Sequence, residues 1–256
     1  RKLKMNYYAV RALQARVYLW RGDYREAYDA AMDVIGAADG LGVRFLTMDD
    51  LSTKDSQNDY VNRSCPMEYI FGLQVDEIGD YIDYYFRTSF SYFERFRLQS
   101  SRYPKFYSST GDIRMLAWKK GSGSNMYLAK YGRATLEKDL ALYPRPVVSM
   151  LKLGEMYLIA SEAAAHVVST GEALRLLTVL QSSRLGGVFT GTEKEAILVE
   201  ILKEYRKEFV SLGQLFYFYK RWGVENVVGY ANPMGDPEYV LPYPDEEVIS
   251  GNRVQF

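Results

Sequence analysis

Residues 14–35, QARVYLWRGDYREAYDAAMDVI, contain two amphipathic helical segments that are separated only by Gly22 and Asp23. Alanine occupies many of the positions at which the two segments would meet: Ala15, Ala27, Ala30 and Ala31. The distance between packed helices depends on the side chains at their contact, so small residues allow a close approach. The stretch therefore predicts a tight helical hairpin, which must in turn pack against something else.

The composition limits the classes of function. The chain has 256 residues, enough for a large core in one domain, and its 32 Lys and Arg residues balance 32 Asp and Glu residues. Without net charge there is no overall field to attract nucleic acid or an anionic membrane surface. No apolar run reaches the roughly 18 residues that predict a transmembrane helix. The opening RKLKMNYY lacks the apolar segment of a secretory signal.

Cysteine and histidine, which dominate nucleophilic and metal chemistry, each occur once in the chain. Cys65 alone forms no intrachain disulfide and no cysteine-based zinc site, so we interpret it as a small buried hydrophobe. A Ser-His or Cys-His catalytic pair would depend on His166, which ends the predicted helical segment IASEAAAH. We expect structural roles for both residues, with no metal, no cofactor and no catalytic residue.

The first helix is predicted from Leu3 to Trp20 and carries two apolar faces, so it is expected to pack on two sides. One face contains Leu3, Val10, Leu13, Val17 and Trp20, and the other contains Tyr8, Ala12, Ala15 and Leu19. The second helix ends in the loop GAADGLG. The tetratricopeptide pattern is matched at Tyr18, Gly22, Tyr24 and Ala27.

The same design recurs in the second half of the chain. Apolar residues with the spacing of one helical face follow the segment YPRP: Met150, Leu153, Tyr157, Ala160, Ala164 and Val167. A second helix is predicted over 172–184, after a break at 169–171, and a third over 193–212. Because solenoid units bury their apolar faces only against neighbours, the hairpins are expected to pack on each other.

The segment between the hairpins has a different pattern. EYIFGLQV alternates as a strand does, and IRMLAW, a polar turn and MYLAKY together predict a β-hairpin with Trp118 at the end of its first strand. Residues 81–107 contain eleven aromatic residues without a clean helical or strand period. Such a stretch is too aromatic for disorder, so we interpret it as a long functional loop.

Six segments, in their order and spacing, resemble the SusD/RagB family of nutrient-binding outer-membrane lipoproteins. They are NYYAVRALQARVYLWRGD, GDIRMLAW, LAKYG, RPVVSMLKLGEMYLIASEAAA, EYRKEFVSLGQLFYFYKRWG and YVLPYPDEEV. The resemblance covers nearly the whole chain. One departure is at 211–213, where Ser-Leu-Gly stands in place of the Gly-Glu-Gly expected for the family.

The resemblance implies a mostly α fold with tetratricopeptide-like helical hairpins, a small β-hairpin and long loops, in a single SusD-like domain over 1–256. The expected parts are a helical hairpin (3–38), an aromatic-rich loop and β-hairpin region (60–131), C-terminal helices (145–222) and a closing segment (238–256). Family members are longer and carry a signal peptide, an acylated cysteine and a first helical repeat. We therefore expect this chain to be the C-terminal part of such a protein, with the N-terminal part absent.

The resemblance also implies a function and partners. The implied function is non-catalytic binding of a glycan or related nutrient, with a peptide as an alternative ligand. The implied partner is a SusC-like TonB-dependent transporter in the outer membrane of Bacteroidetes, to which the ligand is delivered. The chain alone is expected to be monomeric and to bind no nucleic acid. Exposed aromatic rings can stack on the apolar faces of sugars. The predicted ligand-binding residues are Tyr84, Tyr85 and Trp118, and the alternative for each ring is an ordinary place in the core.

Several other residues have a functional and a structural interpretation. We expect buried ion pairs and helix packing from Arg145, Glu155, Glu162, Arg221 and Trp222. Asp112 and Arg114 are either ligand contacts or a turn-capping pair, and the acidic residues of PDEEV suit the first turn of a short helix. Two alternative functions remain: a tetratricopeptide-type protein-protein adaptor, and a glycoside hydrolase with carboxylates roughly 5 to 10 Å apart.

Overall fold

The computed structural model describes residues 2–47, 49–50, 64–86, 98–99, 106–107, 109, 111–120, 125–132, 146–228 and 230–251. The chain forms two compact units, Arg1–Gly213 and Gln214–Phe256. The single domain predicted over 1–256 stays a prediction.

The first unit is mostly helical. Its helices are α1 (Tyr7–Arg21), α2 (Tyr24–Ala37), α3 (Ile78–Phe86), α4 (Leu153–Val167), α5 (Thr170–Arg184) and α6 (Lys194–Glu208). Its strands are β1 (Tyr69–Gln74), β2 (Leu98–Gln99), β3 (Trp118–Lys120), β4 (Asn125–Leu128) and β5 (Val147–Lys152). Short 3-10 helices cover Asp39–Leu41, Pro66–Glu68 and Ile113–Ala117. No helix in the described ranges is both long and apolar enough to cross a membrane.

The hairpin of α1 and α2 has the tight turn that its sequence predicts. Asn6 caps α1, since its side chain accepts a hydrogen bond of 3.0 Å from the Ala9 N–H. Gly22 ends the helix with a φ of 82°, a left-handed conformation that favours glycine. The alanines between the helices are fully buried. The predicted hairpin is therefore confirmed, although α1 begins at Tyr7 rather than at Leu3.

Helix α4 lies at the centre of the first unit, in contact with α1, α2, α5 and α6. It is buried on almost every side, and most of its buried residues are apolar or small. Ala160, Ala163 and Ala164 are fully buried. Ser161 Oγ donates a hydrogen bond of 2.7 Å to the Ala173 carbonyl of α5. The hairpins α1–α2 and α4–α5 thus pack on each other through α2 and α4, as predicted.

The outer face of α1 corrects the predicted two-sided packing. The face with alanines is buried, and its members are Ala9, Ala12, Ala15 and Leu19. The other face is exposed in the part of the chain that the structure describes, and its members are Val10, Leu13, Val17 and Trp20; Leu3, which precedes the helix, is exposed as well. The neighbouring helices α2 and α4 cover the alanine side, where short side chains allow the closest approach.

Strand β5 corrects the predicted start of the central helix. Met150 lies on β5 and α4 begins at Leu153, so Met150 is not part of the helical face. The strand pairs antiparallel with β1, with Gln74 opposite Val147. Gly72 permits this approach, because a Cβ atom there would lie 2.5 Å from Val147 Cγ1. The pairing joins residues far apart in sequence, so no local pattern could reveal it.

The segment IRMLAW forms a 3-10 helix, Ile113–Ala117, rather than the predicted strand. Asp112 Oδ1 accepts a hydrogen bond of 2.9 Å from the Arg114 N–H and so caps this helix. Trp118 therefore begins its strand instead of ending it. The predicted β-hairpin does exist over β3 and β4, with Trp118 opposite Leu128, and β2 pairs with the other edge of β4.

The last helices of the first unit agree with the predicted segments in type and differ at their ends. Helix α5 begins at Thr170 because Ser169 caps it, its Oγ accepting a hydrogen bond of 3.1 Å from the Glu172 N–H. Helix α6 ends at Glu208, four residues before the predicted limit. Ser211 and Gly213 then adopt positive φ values of 63° and 69°.

The described residues of the second unit form three short helices: α7 (Leu215–Trp222), α8 (Asp236–Tyr239) and α9 (Asp245–Ser250). Gly223 ends α7 in a left-handed conformation. Tyr239 Oη donates a hydrogen bond of 2.6 Å to the Val224 carbonyl, and its ring lies 5.8 Å from that of Phe216. Three carboxylates lie in the first turn of α9, which is the structural role predicted for PDEEV.

Candidate functional site

Helix α3 presents tyrosine rings on its exposed side. Ile78, Ile82 and Phe86 follow one another at steps of four residues and are half-buried. Tyr81, Tyr84 and Tyr85 have the i, i+3, i+4 spacing of one helical face, and their exposed fractions are 55%, 60% and 43%. This helix corrects the interpretation of residues 81–107 as entirely loop. The helical period is present, but the tyrosines face outward, whereas Ile78, Ile82 and Phe86 form the half-buried side.

Two of the predicted ligand-binding residues therefore lie together on α3. The Tyr84 and Tyr85 rings are 5.0 Å apart between centroids and nearly perpendicular, at 89°. Exposed neighbouring rings of this kind offer apolar surface that stacks on another molecule. Tyr81 belongs to the same face and was missed, because its position becomes informative only once the helix is recognised.

Trp118, the third predicted residue, has a different environment. It is half-buried at the start of β3, and its Nε1–H donates a hydrogen bond of 3.1 Å to the Tyr107 hydroxyl. The indole N–H is thus already used inside the protein. Helix α3 packs against β4, the strand paired with β3. The three predicted residues consequently lie on adjacent elements, although only the two tyrosines are largely exposed.

A network of buried charges, which the sequence did not reveal, lies in the core of the first unit. Arg184 is at its centre: its Nε donates a hydrogen bond of 2.6 Å to Glu208, and its Nη2 donates one of 2.8 Å to Glu68. Lys152 Nζ lies 3.3 Å from Glu68. Gly154 allows this crowding, since a Cβ atom there would lie 2.7 Å from Glu208 Oε2.

A second branch of the network is centred on Arg114. Its Nη1 lies 2.7 Å from Glu204 Oε2 and 3.1 Å from Glu208 Oε1, and its Nη2 lies 2.6 Å from Asp112 Oδ2. Lys207 Nζ lies 2.7 Å from Glu204 Oε1. The Asp112 and Arg114 pair is therefore buried and capping, in agreement with the structural interpretation, and it stands at the start of a 3-10 helix.

The electrostatics of this network oppose acid catalysis. Burial disfavours ionisation of Glu68 and Glu208, but the neighbouring positive charges, Arg184 first among them, outweigh it and hold both pKa values below their usual range. A glycosidase acid needs the opposite shift, since it must keep its proton near neutral pH. The two carboxylates are therefore suited to structural ion pairing.

The structure also places other residues that the sequence singled out. Glu155 of α4 accepts hydrogen bonds of 2.6 and 2.8 Å from Arg16 of α1, which confirms an ion pair between helices. Glu162 is buried in α4. Arg221 lies 5.9 Å from the Trp222 ring, which indicates packing within α7. Arg145 lies outside the described residues.

The single cysteine and the single histidine have structural environments. Cys65 packs against the buried Leu46 and Ile113, and burial raises the pKa of its thiol, which suppresses nucleophilic character. The His166 ring stacks on that of Tyr24, with centroids 4.0 Å apart. Within the described ranges, no group of three or more His, Cys, Asp or Glu residues is arranged to hold a metal ion.

Comparison with known proteins identifies the fold. A SusD superfamily protein from Bacteroides thetaiotaomicron VPI-5482 matches 100% of this chain with 24% identity and a TM-score of 0.75. A SusD superfamily protein from Bacteroides vulgatus ATCC 8482 matches 100% with 21% identity and a TM-score of 0.68. A SusD-like carbohydrate binding protein from the same strain matches 95% with 18% identity and a TM-score of 0.64. No family model and no curated protein matches the sequence.

The similarity to these solved structures shows that the chain has a SusD-like fold, mostly α with tetratricopeptide-like hairpins and a small β-hairpin. The matched regions cover 61%, 60% and 50% of the three structures. The chain thus spans about three fifths or less of their length.

Proposed function

We propose that this chain belongs to a non-catalytic glycan-binding protein of the SusD type, which acts at the outer-membrane surface of Bacteroidetes as a lipoprotein. The observation that carries the proposal is an exposed tyrosine face on α3 within a SusD-like fold. One of the structures with this fold is described as a carbohydrate binding protein. Its description names binding and no reaction, which favours a binding role here as well.

The tyrosine face has the chemistry that a sugar requires. A ring that covers one sugar face removes about 80 to 100 Å² of apolar surface from water, which contributes roughly 2 kcal/mol at about 25 cal/mol per Å². Two such contacts, less the cost of association, give affinities in the millimolar to high-micromolar range. Weak binding of this kind suits a protein that passes its ligand to a transporter.

The first experiment measures affinity for a panel of polysaccharides with Tyr84→Ala, Tyr85→Ala and Trp118→Ala. We expect each tyrosine variant to weaken binding by roughly 10- to 30-fold, as loss of one stacked ring implies. Trp118→Ala is expected to weaken binding as well, because it removes the ring that lies beside Tyr107. Tyr7→Ala is the matched control, because Tyr7 is also exposed and forms a perpendicular ring pair with Tyr8 at 5.1 Å.

The outcomes separate the proposals. Unchanged affinity in all three variants, with intact folds, would move the glycan site away from these residues. Equal losses of affinity in Tyr7→Ala and Tyr84→Ala would mean that any exposed tyrosine contributes equally to glycan binding. The α3 face would then not be a specific glycan site. Steady hydrolysis of a chromogenic glycan would contradict the non-catalytic role.

The delivery of ligand to a SusC-like TonB-dependent transporter is part of the same proposal. Permanent complexes bury more than about 2,000 Å², and the matched structures contain further segments that can supply such an interface. We therefore expect residues 1–256 alone to be monomeric and to capture the transporter weakly. A pull-down from membranes that contain the transporter measures this. Tight, stoichiometric capture would place the interface within this chain.

A protein-protein adaptor is the second candidate, favoured by one observation. The outer face of α1 exposes Val10, Leu13, Val17 and Trp20 in a row with helical spacing. Amphipathic peptides bind to apolar helical surfaces of this kind. The adaptor would be favoured by a peptide that binds more tightly than every glycan. Binding of that peptide should be lost in Leu13→Ser and retained in Tyr84→Ala.

A further inference from the structure

The buried charge network surrounds a cavity of about 30 Å³ in the first unit. Its lining includes six charged residues: Arg114, Lys130, Lys152, Arg184, Lys207 and Glu208. It also includes apolar residues, among them Leu46, Cys65 and Ile113, which pack on one another. A cavity needs roughly 10 to 15 Å³ to hold a water molecule. This cavity therefore has room for a particle the size of a water molecule or a monatomic ion, but none for a sugar.

Lys130 differs from the other cations at the cavity. It is 6% exposed. The other four cations are each paired with a carboxylate: Arg114, Lys152, Arg184 and Lys207. For example, Lys207 Nζ lies 2.7 Å from Glu204 Oε1, and Lys152 Nζ lies 3.3 Å from Glu68 Oε2. Among the described residues no carboxylate forms a salt bridge with Lys130, whose Nζ lies 5.4 Å from the centre of the Tyr131 ring. A buried ammonium without a counter-charge is costly, so within the described part of the chain this amine is the cavity cation without a carboxylate.

The charge balance of the network gives the sign of the missing partner. Its carboxylates are Glu68, Asp112, Glu204 and Glu208, and its cations are Arg114, Lys130, Lys152, Arg184 and Lys207. Among the residues that the structure describes, five positive groups stand against four negative ones, which leaves one positive charge in excess when Lys130 is protonated. Burial away from bulk water strengthens the attraction between that charge and an anion.

We propose that the cavity binds one small monovalent anion of the size of chloride, held by the Lys130 ammonium. The site is distinct from the tyrosine face on α3 and does not depend on the proposed glycan binding. Its function is to complete the charge balance of the core.

The protonation state of Lys130 makes the site dependent on pH. Burial and then the charge of Lys152 lower the pKa of Lys130 from 10.5 to about 7, against the opposing influence of Cys65, Glu208 and Glu68. Only the ammonium form holds the anion. The stabilisation by anion is therefore present below pH 7 and is lost as pH rises, because the amine becomes neutral. A bound anion favours the ammonium form and raises the pKa.

The test compares melting temperatures in sodium chloride and in sodium gluconate at equal ionic strength, since gluconate is too large for the cavity. Near pH 6 we expect chloride at roughly ten times its dissociation constant to raise the melting temperature by about 2 to 5 °C. Near pH 9 the two salts should give equal values. Equal values at both pH settings would overturn the proposal.

Two variants distinguish the site from a general salt effect. Lys130→Met removes the amine and should abolish the difference between chloride and gluconate near pH 6. Lys203→Met is the matched control, because Lys203 is exposed and pairs with Glu200 at 2.9 Å, so the difference should persist. A chloride effect that survives in Lys130→Met would overturn the proposal.

A measurement on the wild-type protein keeps the proposal testable if Lys130→Met fails to fold. Crystals grown near pH 6 in sodium bromide should show an anomalous scattering peak in the cavity beside Lys130 Nζ. Density for water alone at that position, without an anomalous peak, would overturn the proposal.

Discussion

Arg184→Met should lower the free energy of unfolding by about 3 to 5 kcal/mol, the cost that follows when one partner of a buried ion pair is removed. The guanidinium forms hydrogen bonds with both Glu68 and Glu208, and its side chain is 1% exposed. Methionine fills a similar volume but leaves two carboxylates close together in the core. Urea denaturation followed by circular dichroism measures the loss.

The matched control for this prediction is Arg175→Met on the same helix. Arg175 also pairs with a glutamate, Glu172 at 2.7 Å, but its side chain is 55% exposed. An exposed pair contributes at most about 1 kcal/mol. Similar losses in the two variants would contradict the central role of the buried network.

The pH dependence gives a second signature of the same variant. In the wild type the pKa values of Glu68 and Glu208 are both lowered, so stability is lost as pH falls. Without Arg184 both pKa values should be higher than in the wild type, because burial opposes ionisation and Lys152 and Arg114 are the cations that remain beside the two carboxylates. The ionised carboxylates then contribute less stability near neutral pH, and the variant loses less stability on acidification. The deficit of the variant should therefore be smaller near about pH 5 than near about pH 8.

The hairpin elements could be predicted from the sequence because their signals are local. Alanine at helical spacing, Gly22 at a left-handed position and the largely apolar sequence of α4 each depend on residues within one or two turns. The antiparallel pairing of β1 with β5 joins residues more than seventy positions apart. Met150 was therefore assigned to a helix, because its strand is defined by a distant partner.

The candidate site was predicted only in part. The high density of aromatic residues pointed to Tyr84 and Tyr85. Tyr81 can be assigned to the same face only once the helix Ile78–Phe86 is known, because the outward tyrosines obscure the usual apolar pattern of a helix. The buried network was missed for a different reason. A charged residue such as Lys130 is expected on the surface, and nothing local to it indicates that Arg184 and Glu68 share its core position.

The contact between α1, α2 and α4 provides the second prediction with a large effect. Ala31 is fully buried on α2, which packs against both of the other helices. Ala31→Phe inserts a ring where the helices have no room, and overpacking of this kind costs about 1 to 3 kcal/mol or more. We expect the upper end of that range, since the crowding affects two helix contacts at once.

Asp29→Phe is the control for this substitution, because Asp29 lies two residues earlier on the exposed side of the same helix. It places the same ring in solvent and should change the free energy of unfolding by less than about 0.5 kcal/mol. Thermal unfolding of both variants, followed by circular dichroism, makes the comparison. If Ala31→Phe melted at the temperature of Asp29→Phe, the alanines would not mark a close contact, and the tight hairpin inferred from residues 14–35 would be wrong.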